Sequence, residues 1–136
     1  MVARKSINSF ETNSAVVSLR GGILEVYFKP GVHISAKDSK EFQRKVEKIC
    51  DRPVPVFYDA RGVGTFEMES VDELRSNYSM DMINSLAILV RPLQLKLILF
   101  TKLYLLFKKP RYPVVLFTDK KKAFDWLVFN IGKKID

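Results

Sequence analysis

The chain has 136 residues, 47% hydrophobic and 28% charged, a balance that excludes disorder and supports one self-sufficient core. A single cysteine, Cys50, excludes an internal disulfide, and with one histidine, His33, the chain cannot assemble a metal site of thiolate and imidazole ligands. The net charge of +8 is one-sided: residues 1–90 hold 12 basic and 12 acidic side chains, residues 91–136 hold 11 and 3, so the excess favours contact with anionic surfaces through the C-terminal third.

Residues 1–13 contain Arg4 and Lys5 but no apolar core, so they read as a lead-in and not as a signal peptide. Residues 14–20 and 23–29 alternate as two strands around Gly21-Gly22, which predicts a hairpin. Lys29-Pro30-Gly31 closes the second strand. Ser35 is a natural N-cap, with Asp38 supporting the first turn, and Phe42, Val46, Ile49 and Cys50 mark the buried side of the helix that follows. Asp51-Arg52-Pro53 ends it.

Residues 54–59 form a short apolar run without helical period, ending in Asp59 and the glycine-bearing loop Ala60-Arg61-Gly62-Val63-Gly64. Such a run reads as a buried parallel strand emptying at its carboxyl end, where α/β proteins place working residues. A helix is expected over about 67–83 with Met68, Val71, Leu74, Tyr78 and Met82 inward, then a strand over 85–90 closed by Pro92. A nearly all-apolar helix over 93–107, a strand over 114–117 and a helix over 120–131 capped by Asp119 complete the order.

The alternation β-β-α-β-α-β-α-β-α predicts an α/β domain over residues 14–136: an N-terminal hairpin, then right-handed βα units on a mostly parallel five-stranded sheet. The apolar stretch 86–107 is interrupted by Arg91, Pro92, Lys96 and Lys102, which argues against a membrane span. The Gly62-Val63-Gly64 pair has the spacing of neither a dinucleotide loop nor a P-loop and reads as turn chemistry. No nucleophile elbow or paired catalytic carboxylates stand out, so catalytic, metal and cofactor sites are all expected to be absent.

Gly22-Ile23-Leu24, Lys29-Pro30-Gly31 with Ile34-Ser35, Pro55-Val56 with Asp59-x-Arg61-Gly62, Lys109-Pro110, Leu116-Phe117-Thr118-Asp119 and Trp126-Leu127 occur in an order and spacing that resemble the SpoIIAA-like, or STAS, family. More closely, the chain looks like small bacterial SpoIIAA-like proteins of the STAS/SEC14 type, over roughly residues 14 to 130. The resemblance implies a cytoplasmic regulatory module that binds proteins. In the anti-sigma-factor antagonists of that family, a serine within an Asp-Ser-Ser-Gly motif accepts phosphate at the start of the helix after the third strand. Here the stretch reads Phe66-Glu67-Met68-Glu69-Ser70, so that motif is absent.

Two surfaces follow as candidates. Asp59, Arg61, Gly62, Glu69 and Ser70 form a loop and helix start suited to a protein partner or an anion, with an Asp59–Arg61 brace as the alternative. The second is a basic aromatic surface of Lys102, Lys109, Lys122, Trp126, Phe129 and Lys133. On the last helix, Phe124, Leu127, Val128 and Ile131 are the expected core stripe, which leaves Trp126 and Phe129 between lysines on the other side. A protein partner or a second copy of the chain is the expected occupant. An anionic lipid or an apolar ligand at the membrane surface is the alternative, and nucleic acid is disfavoured.

Overall fold

The structure, a computed structural model, describes residues 8–66, 82–107 and 110–131. Lys109, Lys133, Glu69, Ser70 and the helix expected over 67–83, apart from Met82 and Ile83, lie outside the described residues.

The N-terminal hairpin forms as the glycine pair dictates. Strands β2 (Ala15–Arg20) and β3 (Ile23–Phe28) pair antiparallel, with Arg20 opposite Ile23, and Gly21 and Gly22 adopt φ of 58° and 84°. Two positive φ values in a two-residue loop match the twist of the flanking strands, and only glycine takes both without cost.

The lead-in does more than precede the domain. Its Ser9–Glu11 segment is strand β1, paired antiparallel to β2 with Phe10 opposite Val17. The side chain of Thr12 accepts from the backbone N–H of Ser14 and of Ala15 at the corner between the two strands. This adds a sixth strand to the five expected. Phe10 packs on Phe42, so this strand clasps helix α1 (Ala36–Val46).

Helix α1 starts with the anticipated cap, completed as a capping box. Ser35 Oγ accepts from the Asp38 N–H at 3.1 Å, and Asp38 Oδ2 accepts from the Ser35 N–H at 3.1 Å. Strand β5 (Val54–Asp59) then enters the interior, parallel to β3 on one side and to β7 (Ile83–Leu89) on the other. Helix α2 (Leu95–Phe107), strand β8 (Val114–Phe117) and helix α3 (Lys120–Phe129) follow. The main sheet runs β1-β2-β3-β5-β7-β8. Within it β3, β5, β7 and β8 are parallel neighbours, giving a SpoIIAA-like α/β architecture.

Strand order decides where the helices go. From β3 to β8 each parallel strand adds on the same side of its predecessor, and right-handed crossovers in one direction stack their helices on one sheet face. Accordingly, Phe42 and Val46 of α1 and Leu97 and Ile98 of α2 share one core with Val17, Leu24, Val56, Leu86 and Ile88. Helix α3, which follows the last strand, instead packs Ala123 and Leu127 on Ile23, Phe57, Ala87 and Leu89 across the sheet. The alternating residues of β5 and β7 thus serve two cores, and both strands are buried on both faces.

A small second sheet was not anticipated. Strands β4 (Val32–Ile34) and β6 (Val63–Phe66) pair in parallel beside the main sheet.

Candidate functional site

At the carboxyl end of β5, Asp59 holds Arg61 in a fork. Arg61 Nε donates to Oδ1 at 2.9 Å, Nη2 to Oδ2 at 2.8 Å, and the Arg61 backbone N–H to Oδ1 at 3.2 Å. Burial pushes the Asp59 carboxyl up. Hydrogen bonds from the Arg61 side chain and backbone, the guanidinium charge and that of Lys120 outweigh it, leaving the group below the usual carboxylate range. The brace is therefore formed, and it occupies the donors that face Asp59. This arrangement fixes the loop and has no free carboxylate for proton transfer.

The loop beyond it turns tightly, the Val63 N–H donating to the Ala60 carbonyl at 3.1 Å, and its glycines also permit close approach. A β-carbon on Gly62 would stand 3.1 Å from Pro30 Cα, and one on Gly64 would stand 3.0 Å from the Gly31 carbonyl oxygen. The Gly31 N–H donates to the Gly62 carbonyl at 2.6 Å. The two turns thus press their backbones together, as β4 and β6 require. His33 on β4 is exposed and meets the Thr65 hydroxyl of β6, a pairing that holds the small sheet in register.

The expected basic aromatic surface is not one surface. Lys102 is on α2, and Lys122, Trp126 and Phe129 are on α3, against opposite faces of the main sheet. On α3 the inward residues are Ala123, Leu127 and Asn130, flanked by Phe124 and a half-buried Trp126 that packs on Phe117 at 5.8 Å. Val128 and Ile131, expected in the core stripe, are exposed. The helix is rotated so that tryptophan supplies contact area, while Phe129 is 71% exposed.

Two of the three lysines in the first turn of α3 have local reasons. Lys120 Nζ lies over the Tyr27 ring at 5.1 Å and the Phe124 ring at 5.9 Å, and Lys121 pairs with Asp125 one turn on.

Helix α2 presents the feature that sequence reasoning passed over. Its inner residues Leu97, Ile98, Phe100, Thr101 and Tyr104 turn toward the core or are partly covered. Its outer face carries Leu95, Leu99, Leu103 and Leu106 at spacings of four, four and three, exposed by 68%, 60%, 47% and 73%. At 100° per residue these four form one stripe, with Lys102 at one margin and Lys96 at the other. Burying one leucine fully is worth about 1.5–3 kcal/mol, so a row of four leaves a considerable driving force unused in the isolated chain. The row is fixed in place: Gln94 accepts from the Arg91 N–H at 2.6 Å and donates to the Ala60 carbonyl at 3.1 Å, tying the helix start to the loop after β5. No described helix is long and apolar enough to cross a membrane.

Between α1, α2 and the sheet lies a partly open cavity of about 150 Å³. Phe28, Phe42, Tyr58, Phe66, Phe100 and Tyr104 surround it. Burial pushes the Tyr58 phenol up to about 12, so that ring is neutral. The Asp38 carboxylate also borders the space, but it is engaged by the Ser35 backbone and hydroxyl.

Residues 17–129 match the model of a family described as "Domain of unknown function (DUF7793)". Among solved structures, an uncharacterized protein from the DUF3478 family with a SpoIIAA-like fold, from Shewanella loihica PV-4, is similar with a TM-score of 0.64. It is 15% identical, over 87% of this chain and 98% of that one, a likeness that shows the fold alone. No curated protein matches.

Proposed function

The chain belongs to the DUF7793 family, and on that premise we propose that it is a binding module with no catalytic activity that docks a protein partner on the outer leucine face of helix α2. The row Leu95, Leu99, Leu103 and Leu106 carries this reading: four large aliphatic groups along one rigid, two-faced helix. Their spacing suits an apposed amphipathic helix that inserts its own apolar residues between them.

Charge specifies the partner's flanks. Residues 82–118 contain no Asp or Glu, whereas Arg91, Lys96, Lys102, Lys108, Lys109 and Arg111 lie among them. A second copy of the same face would oppose lysine to lysine, so a partner helix with acidic flanks fits better than self-association. A membrane interface favours aromatic anchors beside basic groups. Here Phe100 and Tyr104 belong to the inner side of α2, and Trp126 is across the sheet. Those placements favour a protein over an anionic lipid.

The test is photo-crosslinking in the organism that makes the protein, from benzoylphenylalanine placed at position 103, with position 121 on α3 as the control. The reading predicts a discrete adduct from position 103 that maps to an acid-flanked amphipathic helix and is lost in Leu99→Asp/Leu106→Asp. Adducts with lipid, adducts with another copy of the chain, or equal yields from positions 103 and 121 would overturn it.

A further inference from the structure

We infer that the cavity between α1, α2 and the sheet is a binding site for a small uncharged molecule with an apolar body about the size of one substituted aromatic ring. This inference stands apart from the docking reading, because the cavity faces the core and the leucine row faces solvent.

Size is the first support. A space of about 150 Å³ is large enough for benzene or xenon when apolar side chains line it, whereas water is held only where several polar partners converge. Chemistry is the second. The walls are Leu24, Val46, Val56 and Ile88 with the surrounding aromatic rings, which favour a flat apolar guest by edge and face contacts. Ser14, Ser39, Gln43 and Thr101 are the uncharged polar residues among the described lining. Thr101 Oγ1 already donates to the Leu97 carbonyl at 2.8 Å, so toward a guest it accepts. The matching molecule carries at most one or two hydrogen-bond donors, as a phenol or an indole does. Among the described lining residues Asp38 is the one charged group, and its charge is committed to the cap of α1, so a charged guest would lose its water without a paired ion there.

The experiment uses the full chain with indole, phenol and benzene as probes, followed by calorimetry and thermal melting, and benzoate as the charged comparison. The expected result is saturable one-site binding of at least one neutral probe. The melting midpoint should then rise by about 5 °C at tenfold excess over Kd, with benzoate at least tenfold weaker. Val46→Phe, which places a ring in the space, should remove both the binding and the rise. Should that variant fail to fold, a xenon-pressurised crystal of the unaltered chain decides, with xenon expected among Phe42, Tyr58 and Phe100. The inference is overturned if no neutral probe saturates and xenon is absent there, or if a folded Val46→Phe binds the probes as the original chain does.

Discussion

Asp59 and Arg61 stand two residues apart in the chain and meet side by side, with guanidinium-to-carboxylate distances of 2.9 Å and 2.8 Å. Asp59 is 13% exposed and Arg61 43%, so solvent weakens the pair without dissolving it. Replacing Asp59 by Asn should cost about 1 kcal/mol at neutral pH, below the range of about 1.5–3 kcal/mol for charge-assisted hydrogen bonds because solvent screens the exposed guanidinium. Because the folded carboxyl titrates below its unfolded value, near 3.9, its stabilisation is complete above that pH. It is lost as the pH falls through the folded value. Denaturant melts of the two proteins should therefore differ at pH 7 and converge at the acid end of the range.

Gly64 leaves no room for a side chain. Its Ala variant must move the backbone of Gly31, whose own φ of 70° restricts how it can yield. A loss of about 1–3 kcal/mol is expected, the cost of overpacking a rigid contact. Ala at Gly21 meets no atom within 4 Å but keeps a φ of 58°, so its smaller cost is purely conformational. Urea midpoints for the two variants should fall in that order.

Leu99→Asp/Leu106→Asp alters residues that contribute little to the monomer's core. The melting temperature should stay within about 2 °C of the original, since exposed substitutions seldom exceed 0.5 kcal/mol. Ile98→Asp, one residue away but packed inward, should unfold the protein. The contrast is read directly in a thermal scan.

Cys50 is buried, and burial followed by the Asp51 charge pushes its thiol up to about 11. Roughly one thiol in a thousand is ionised at pH 8. Alkylation by iodoacetamide should be at least ~100-fold slower in the native protein than in urea. An ordinary rate in the native state would mean that the turn after α1 opens readily.

Legibility in the sequence followed locality. The Gly21-Gly22 hairpin, the Ser35–Asp38 cap and the interior strand ending at Asp59 depend on neighbours in the chain, and each could be read from it. The β4–β6 pair could not, because its glycines are explained by a contact with Pro30 and Gly31 some thirty residues away. The three-residue β1 is too short and polar to show a pattern. Helix α2 is apolar around its circumference, so periodicity gave no inner face, and the exposed leucines stayed hidden. On α3 more apolar residues compete than one face can bury, and the larger Trp126 displaced Val128. The separation of α2 from α3 was within reach, since one-directional right-handed crossovers leave only the last helix for the other face. Of the candidate residues, Asp59 and Arg61 do come together, as the ion pair that was the alternative reading of that loop.

Amide hydrogen exchange on the complex with the crosslinked partner tests the docking face most directly. At least tenfold slower exchange across Leu95–Phe107 in the complex, lost in Leu99→Asp/Leu106→Asp, is what the account predicts. Unchanged exchange there, with protection instead around Asp59–Phe66 or along α3, would contradict it.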